Sequence, residues 1–302
     1  MKFYDDIEVE LERIQKCISR FGWTSDHNLD WYVDSIIEKE AKPVFVEFDD
    51  GSGLMAHKYP DKWRIWSDPL SEQNMAAQKI AEFSKFILKG DIKEVWCDDV
   101  SDKIYPELEK DNSLKLNDIY YHLFWPVMDM VKYNPSMPGR HFKELRNARS
   151  KFYREHEVKI LKTEEVSKDE MLKIVDSWRN EVIKKQKEGV YDLRYRNAIR
   201  NNFRGFKTAR TMIIDDCPVG FNAGYEVPNY PGRFGGIVGI HNYSIKDLGI
   251  VLWLEDLEWI KNAGYKELDM QGNENEWEIK SKMKYGPAVI ERKTDTFSII
   301  KK

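Results

Sequence analysis

The order of apolar and polar residues along the chain switches repeatedly between two periods. Apolar residues that recur every three or four positions predict amphipathic helices, and alternating or short apolar runs bounded by turn residues predict strands. Helices are predicted at residues 5–20, 28–39, 71–90, 101–112, 165–186, 193–206, 248–264 and 275–286. Strands are predicted at residues 42–50, 54–59, 63–67, 92–99, 119–129, 209–227 (as a hairpin), 233–243, 265–270 and 287–300.

The predicted elements repeat once along the chain. Each half gives two helices, three strands, a helix, a strand, a helix and a strand. Two prolines and a glycine interrupt both periods at residues 133–139, and a chain of 302 residues suits two domains of about 150. We therefore predict an α/β (α+β) protein with two domains, residues 1–132 and 133–302.

Composition narrows the class of protein. Apolar residues make up 41% of the chain, and no apolar run approaches the roughly 20 residues that cross a bilayer. The acidic, amphipathic N-terminus shows no secretory signal. Cys17, Cys97 and Cys217 are odd in number and far apart, and the histidines lack metal-ligand spacing. We therefore expect a cytoplasmic protein without a metal site.

Charge is distributed unevenly. The formal net charge is −4, but residues 140–210 hold 20 Lys and Arg against 11 Asp and Glu, while the other residues hold 28 against 41. A basic region on a mildly acidic protein indicates an anionic partner. A solvated helical surface explains the same pattern equally well.

The turn between the strand at 233–243 and the helix at 248–264 is a candidate phosphate site. Unpaired amides and the positive end of a helix dipole attract phosphate at such a turn. Lys246 adds a positive charge, Gly249 permits close approach of the backbone, and Ile250 lies beside it. An ordinary strand-to-helix turn is the alternative.

Together with the order of elements, Lys246-x-x-Gly249-x-Val251 resembles the pyrophosphate turn of the GNAT acyltransferases. That resemblance implies two tandem GNAT-like domains, each a mixed, mostly antiparallel sheet flanked by helices. It also implies a strand that splays from its neighbour, with the acyl donor in the gap. Val251 stands where the family has Gly or Ala, so we expect its branched side chain to crowd the approach of CoA.

Two further stretches resemble one branch of that family. Residues 282–286, Lys-Met-Lys-Tyr-Gly, are similar to the Lys-x-Lys-Phe-Gly ending of Fem-type peptidoglycan aminoacyltransferases and the phosphatidylglycerol lysyltransferase C-terminal domain. A basic segment resembles the helix that opens the second domain of the lysyltransferases, and it contains Arg140, Lys143, Arg146 and Arg149. The resemblance implies that the donor is an aminoacyl-tRNA. It also implies that these basic residues contact RNA or a lipid phosphate. A surface helix at the domain interface is the alternative.

Acylation of an amine needs a base for the proton and donors for the oxyanion. The candidate bases near the predicted central strands are Glu226, His241 and Asp269. The candidate acids are Tyr225, Tyr243 and Tyr285. Lys282 could bind a phosphate or stabilise negative charge. Each of these side chains also has an ordinary structural explanation, as a cap, a strand end or a packed ring.

We therefore expect a tandem GNAT-fold transferase that moves an aminoacyl group from aminoacyl-tRNA to an amine or hydroxyl, with no tightly bound cofactor. The acceptor is expected to be a small molecule, a peptide or a lipid headgroup, although the chain lacks the membrane domain of the lysyltransferases. One alternative is an N-acetyltransferase that uses acyl-CoA. The other is a degenerate GNAT protein that binds RNA or protein without catalysis. The oligomeric state stays open.

Overall fold

The structure is a computed structural model that describes residues 1–185 and 191–302. The elements before residue 133 are β1 (Lys2–Tyr4), α1 (Leu11–Phe21), α2 (Leu29–Asp34), β2 (Lys42–Glu47), β3 (Gly53–Lys58), β4 (Lys62–Ile65), α3 (Ala76–Ile87), β5 (Glu94–Ser101), α4 (Ile104–Glu109), β6 (Lys115–Leu116) and β7 (Tyr121–Asp129). The later elements are α5 (Lys143–Glu155), β8 (Val158–Lys162), α6 (Lys168–Lys185), α7 (Leu193–Arg200), β9 (Thr208–Ile214), β10 (Cys217–Glu226), β11 (Arg233–His241), α8 (Leu248–Asn262), β12 (Glu267–Asp269), α9 (Glu276–Met283) and β13 (Ala288–Ile300). Short 3-10 helices lie at Gln73–Met75 and Thr163–Glu165.

The predicted repeat is confirmed in the order of the elements. The series α1-α2-β2-β3-β4-α3-β5-α4-β7 is matched by α6-α7-β9-β10-β11-α8-β12-α9-β13, and β1 and β8 add an edge strand to each series. Among the described strands, the pairs are antiparallel except β4 with β5 and β11 with β12. The fold is thus the mixed, mostly antiparallel α/β arrangement that the sequence predicts.

The two repeats exchange their last strands. The described strands form one sheet in the order β1-β2-β3-β4-β5-β13-β7-β12-β11-β10-β9-β8, with β6 beside β13. β13 therefore completes the first repeat next to β5, and β7 completes the second next to β12. β7 and β13 pair with each other at the centre of the sheet. The boundary expected at residues 133–139 stays a prediction, but strands from both sides of it complete each half of the sheet.

The exchanged strands also belong to the cores of the opposite repeats. Phe297 of β13 is fully buried with Ile80 and Phe83 of α3. Met128 of β7 is fully buried with Leu254 of α8. Burial of such side chains is a main source of folding free energy, so each repeat depends on the other for part of its stability.

The limits of some elements differ from those predicted. The helix predicted from residue 5 begins at Leu11, since residues 7–10 form a turn and residues 2–4 pair with β2 as β1. Residues 287–300, expected as one or two strands, contain the single strand β13. The helix predicted to end at Gln186 is described to Lys185, and Gln186 lies outside the described residues. In the ranges 1–185 and 191–302 we find no helix with both the length and the apolar character to cross a membrane.

Candidate functional site

β11 and β12 run parallel but diverge after a short contact. They pair only at Arg233↔Glu267, Phe234↔Leu268 and Gly235↔Asp269. β11 then continues along β10 to His241, whereas the chain after β12 follows β7 through a pair between Asn273 and Phe124. This divergence agrees with the splayed strand that the GNAT resemblance implies.

The turn from β11 into α8 uses most of its first amides internally. Leu248 N donates to Ile245 O at 3.4 Å, and Ile250 N and Val251 N donate to Asp247 O at 3.0 and 3.1 Å. Asp247 itself, with a φ of 61°, places a carboxylate at the helix N-cap. Its side chain makes no capping hydrogen bond, but its negative charge beside the turn would repel a phosphate bound there. The exposed Lys246 is the positive group nearby.

Packing on His241 explains why residue 249 is glycine. A Cβ on Gly249 would lie 2.7 Å from His241 Nε2, well inside van der Waals contact. The expectation that Val251 crowds the turn is wrong, because its side chain is fully buried with Leu248 and Leu252. The glycine therefore has a structural cause that does not depend on a phosphate.

The basic segment is partly engaged within the protein. Arg149 donates to Glu255 and Glu258 of α8, both at 2.7 Å. Arg146 donates to two backbone carbonyls of the loop before α5, including that of Gly139 at 2.8 Å. The side chains of Arg140 and Lys143 are exposed. Two of the four predicted cations thus fix α5 in place, and the other two face solvent.

The structure separates two of the predicted bases. Glu226 pairs with Phe234, seven residues before His241 on β11, so the two side chains lie about 23 Å apart along the strand. Glu226 is exposed and accepts a hydrogen bond from the Tyr265 hydroxyl at 2.9 Å. His241 packs edge-on against Tyr243, with 4.5 Å between ring centroids. Glu226 and His241 therefore cannot both act as bases toward the same reacting atom.

Tyr285 lies in the core below α8. It is 7% exposed and packs near Trp253, with 6.3 Å between ring centroids. Burial raises the pKa of its hydroxyl to about 12. This environment favours the protonated phenol.

Asp269 and Lys282 are close together where β12 ends. Asp269 is 4% exposed, and its carboxylate accepts hydrogen bonds from Ser25 Oγ at 2.9 Å and from Gln271 N at 3.0 Å. Lys282 Nζ donates to the carbonyls of Met270 and Gln271. Burial lowers the pKa of Lys282 to about 8, against the opposing effect of the nearby Asp269 charge. A fixed carboxylate and a cation therefore adjoin the divergence of the strands.

The partners of Asp269 come from the first repeat, and the sequence analysis missed them. Ser25 is fully buried, and its hydroxyl also accepts a hydrogen bond from Gln271 Nε2 at 2.9 Å. Its carbonyl accepts from the Tyr225 hydroxyl at 2.7 Å. The neighbouring Asp26 carboxylate lies 3.4 Å from the Arg292 guanidinium of β13. The signal available in the sequence was the polar run at residues 24–28 between two amphipathic helices.

A cavity of about 1550 Å³ opens beside this network. It extends from α3 and α4 to the ends of β12 and β13, and its lining includes Trp23, Asp68, Asp269 and Arg292. The Arg292 guanidinium stacks on the Trp125 ring, 3.6 Å from its centroid. In the part of the chain that the structure describes, no group of three or more His, Cys, Asp or Glu could hold a metal ion.

The carboxyl groups around Arg292 are buried at Asp26 and Asp68 and half-buried at Asp99. Burial raises the pKa of Asp26 and of Asp68 to about 6, and that of Asp99 to about 7. The Arg292 charge opposes each shift, while neighbouring carboxylates add to it. The buried His27 imidazole has a pKa lowered to about 4 by desolvation, so it is neutral at physiological pH.

Sequence comparison finds no match, either to a protein-family model or to a curated protein. Several solved structures are similar. The C-terminal domain of a protein from Agrobacterium fabrum described as a lysylphosphatidylglycerol synthetase superimposes with a TM-score of 0.65 and 12% identity, over 98% of this chain and 92% of that chain. FemX gives 0.62 and 10%, over 99% and 97%. A tandem GNAT protein from the clavulanic acid biosynthesis pathway gives 0.59 and 12%, over 98% and 97%. The chain has the tandem GNAT fold.

Proposed function

We propose that this protein is a GNAT-fold transferase that moves an aminoacyl group from aminoacyl-tRNA to an amine or hydroxyl acceptor. The observation that carries the proposal is the position of Asp269 and Lys282. Asp269 lines the cavity between the repeats at the point where β11 diverges from β12, and Lys282 contacts the two residues that follow Asp269. A donor in the divergence and an acceptor in the cavity would meet at these two side chains, as transfer requires.

The chemistry needs one proton acceptor and one stabilising charge. The acceptor nitrogen or oxygen attacks the ester carbonyl carbon, and the bond from that carbon to the ribose oxygen breaks. The proton lost by the acceptor passes to a base and then to the ribose oxygen. We assign the base to Asp269, which two hydrogen bonds hold in a fixed orientation. Lys282 supplies positive charge toward the oxyanion.

The turn before α8 favours tRNA over acyl-CoA as the donor. A CoA pyrophosphate would need free amides at that turn, but two of the first three helical amides, Leu248 N and Ile250 N, donate to backbone carbonyls. It would also meet the Asp247 carboxylate. An aminoacyl ester has no pyrophosphate next to the reacting carbon, so this obstacle does not apply to it.

A transfer assay tests the proposal. Purified protein is incubated with a pool of tRNA charged with labelled amino acids and an extract of small molecules, and label that leaves tRNA for a stable product is measured. Asp269→Asn should lower this rate by about 10²- to 10⁴-fold. The matched control is Asp216→Asn, which makes the same change in an exposed hairpin turn and should leave the rate unchanged.

The same assay with acetyl-CoA separates the alternatives. Product from acetyl-CoA, or a rise in melting temperature with CoA that matches the roughly 2.7 kcal/mol expected at 100 times Kd, would establish the acyl-CoA alternative. If neither donor is consumed while tRNA binds, the protein is a non-catalytic RNA-binding member of the fold.

A further inference from the structure

Gln271, two residues after Asp269, has a backbone conformation that its residue type rarely adopts. Its φ is 63°, in the left-handed region, which is sterically disfavoured for a residue with a Cβ. Of the nine described non-glycine residues with positive φ, six are Asn or Asp, whose short polar side chains tolerate this region. Strain of this kind persists only where surrounding contacts enforce it, and it concentrates at functional sites.

Packing explains the other two left-handed residues that lack a short polar side chain. Met137 and Phe203 are 2% and 6% exposed, and each belongs to a hydrophobic cluster that fixes its position. Gln271 is polar and partly exposed. Its conformation therefore has to be enforced by hydrogen bonds.

Hydrogen bonds tie the backbone of Gln271 to both the proposed base and the proposed cation. Its N–H donates to the Asp269 carboxylate at 3.0 Å, and its carbonyl accepts from Lys282 Nζ at 3.1 Å. Rotation about φ changes the angle between these two backbone groups. The left-handed φ thus sets how the carboxylate and the ammonium lie relative to each other.

The side chain of Gln271 is anchored on the first repeat. Its Nε2 donates to Ser25 Oγ at 2.9 Å, and the Ser25 hydroxyl donates in turn to the Asp269 carboxylate at 2.9 Å. Ser25 is fully buried, and its carbonyl accepts from the Tyr225 hydroxyl at 2.7 Å. Gln271, Ser25 and Asp269 therefore form a closed ring of hydrogen bonds, which supplies the contacts that a strained backbone needs.

We propose that Gln271 is a positioning residue, which holds the Asp269 carboxylate and the Lys282 ammonium in the relative orientation that transfer needs. Catalytic groups act only within a narrow range of geometry, and a displacement of about 1 Å can lower a rate by about 10²-fold. The left-handed backbone opposes folding, and a fixed orientation of the pair is what it provides. The role in transfer rests on the proposed function, whereas the hydrogen-bonded ring does not.

Gln271→Asn tests this role with little risk to the fold. Asn tolerates the left-handed region, and its side chain, one methylene shorter, no longer reaches Ser25. In the tRNA transfer assay, kcat should fall by about 10²-fold, with KM for charged tRNA unchanged. The melting temperature should be essentially unchanged, because relief of strain offsets the lost hydrogen bond.

Two further variants support the comparison. Gln271→Gly, which adopts the left-handed region freely, should lower kcat to the same extent. Gln15→Asn is the matched control, because it makes the same change on the exposed side of α1. It should leave kcat, KM and the melting temperature unchanged.

A second measurement does not need transfer. Ser25→Ala removes the hydroxyl that accepts from Gln271 Nε2. In that background Gln271→Asn still relieves strain but breaks no hydrogen bond to Ser25, so it should raise the melting temperature more than it does in wild type. An equal effect in both backgrounds would show that the side chain is not anchored on Ser25 and would overturn the inference.

The two proposals fail separately. Transfer by wild type with an unchanged kcat in Gln271→Asn, or with a higher KM alone, would refute the positioning role and keep the function. A lower kcat accompanied by a clear fall in melting temperature would assign Gln271 to folding instead. If wild type transfers nothing from charged tRNA or acetyl-CoA while Gln271 and Ser25 are coupled in stability, the ring stands and the function is refuted together with the positioning role.

Discussion

The contact between Gly249 and His241 allows a direct test of why the turn before α8 carries a glycine. Gly249→Ala adds a Cβ that would lie 2.7 Å from His241 Nε2 and 2.8 Å from Cε1. Comfortable contacts between such atoms are about 3.5 Å or longer. The imidazole must therefore move by several tenths of an ångström, although its edge-on contact with Tyr243 restrains it.

The magnitude follows from two opposing effects. Overpacking of this kind typically costs about 1–3 kcal/mol, while replacing Gly by Ala in a helix gains about 0.5–1 kcal/mol. Gly249→Ala should therefore destabilise the wild type by about 0.5–2 kcal/mol. In a His241→Ala background the overlap is absent, so the same change should be neutral or stabilising. The coupling energy between the two sites should be about 1–3 kcal/mol.

Urea unfolding of wild type, both single variants and the double variant measures that coupling, provided that the slopes agree. Gly90→Ala is the control, because its Cβ would meet the nearest atom, Ile87 O, at an ordinary 3.6 Å. An equal loss of stability from Gly249→Ala in both backgrounds would refute the explanation by packing. If Gly249→Ala leaves stability unchanged in both backgrounds but abolishes transfer activity, the glycine is needed for ligand binding instead.

Three further outcomes follow from the described contacts. Arg149→Gln breaks a half-buried ion pair with two glutamates of α8. It should lower the free energy of unfolding by about 0.2–1 kcal/mol without changing the salt dependence of tRNA binding. Lys143→Gln should leave stability unchanged and reduce the log–log salt slope of tRNA binding by about 0.7. Asp68→Asn should raise the melting temperature at neutral pH, because the pKa of Asp68 is raised from 3.8 to about 6 and the carboxylate therefore opposes folding above that range. This gain should shrink as the pH falls through 6 and vanish below the unfolded value, and a gain independent of pH would contradict it. Transfer activity should decline as the pH rises through about 8, where Lys282 loses its proton. The Lys282→Met variant should have low transfer activity at every pH. The Lys280→Met variant, changed on the exposed side of α9, should keep the wild-type dependence of activity on pH.

The order of elements could be predicted because it rests on local patterns. Periodicity defines each helix and strand within its own window, and the divergence of β11 and β12 follows once the family resemblance is recognised. The strand exchange is different in kind. β7 and β13 both suit a place beside β5 or beside β12, and the choice depends on partners more than a hundred residues away. No pattern within either strand distinguishes the two arrangements.

The same exchange explains why only part of the candidate site could be found from the sequence. Asp269 attracted notice because a carboxylate interrupts an apolar strand, and Lys282 because it belongs to a family motif. Arg292 looks like an ordinary polar residue of an alternating strand. It contacts the site only because β13 lies between β5 and β7, which places Arg292 opposite Trp125 and within reach of Asp26. Each of these groups comes from a different part of the chain, so the polar network around Asp269 and Arg292 belongs to neither repeat alone. The buried carboxylates of Asp26 and Asp68 oppose folding where they are ionised, and the Arg292 charge offsets part of that cost because it lowers the pKa of both groups.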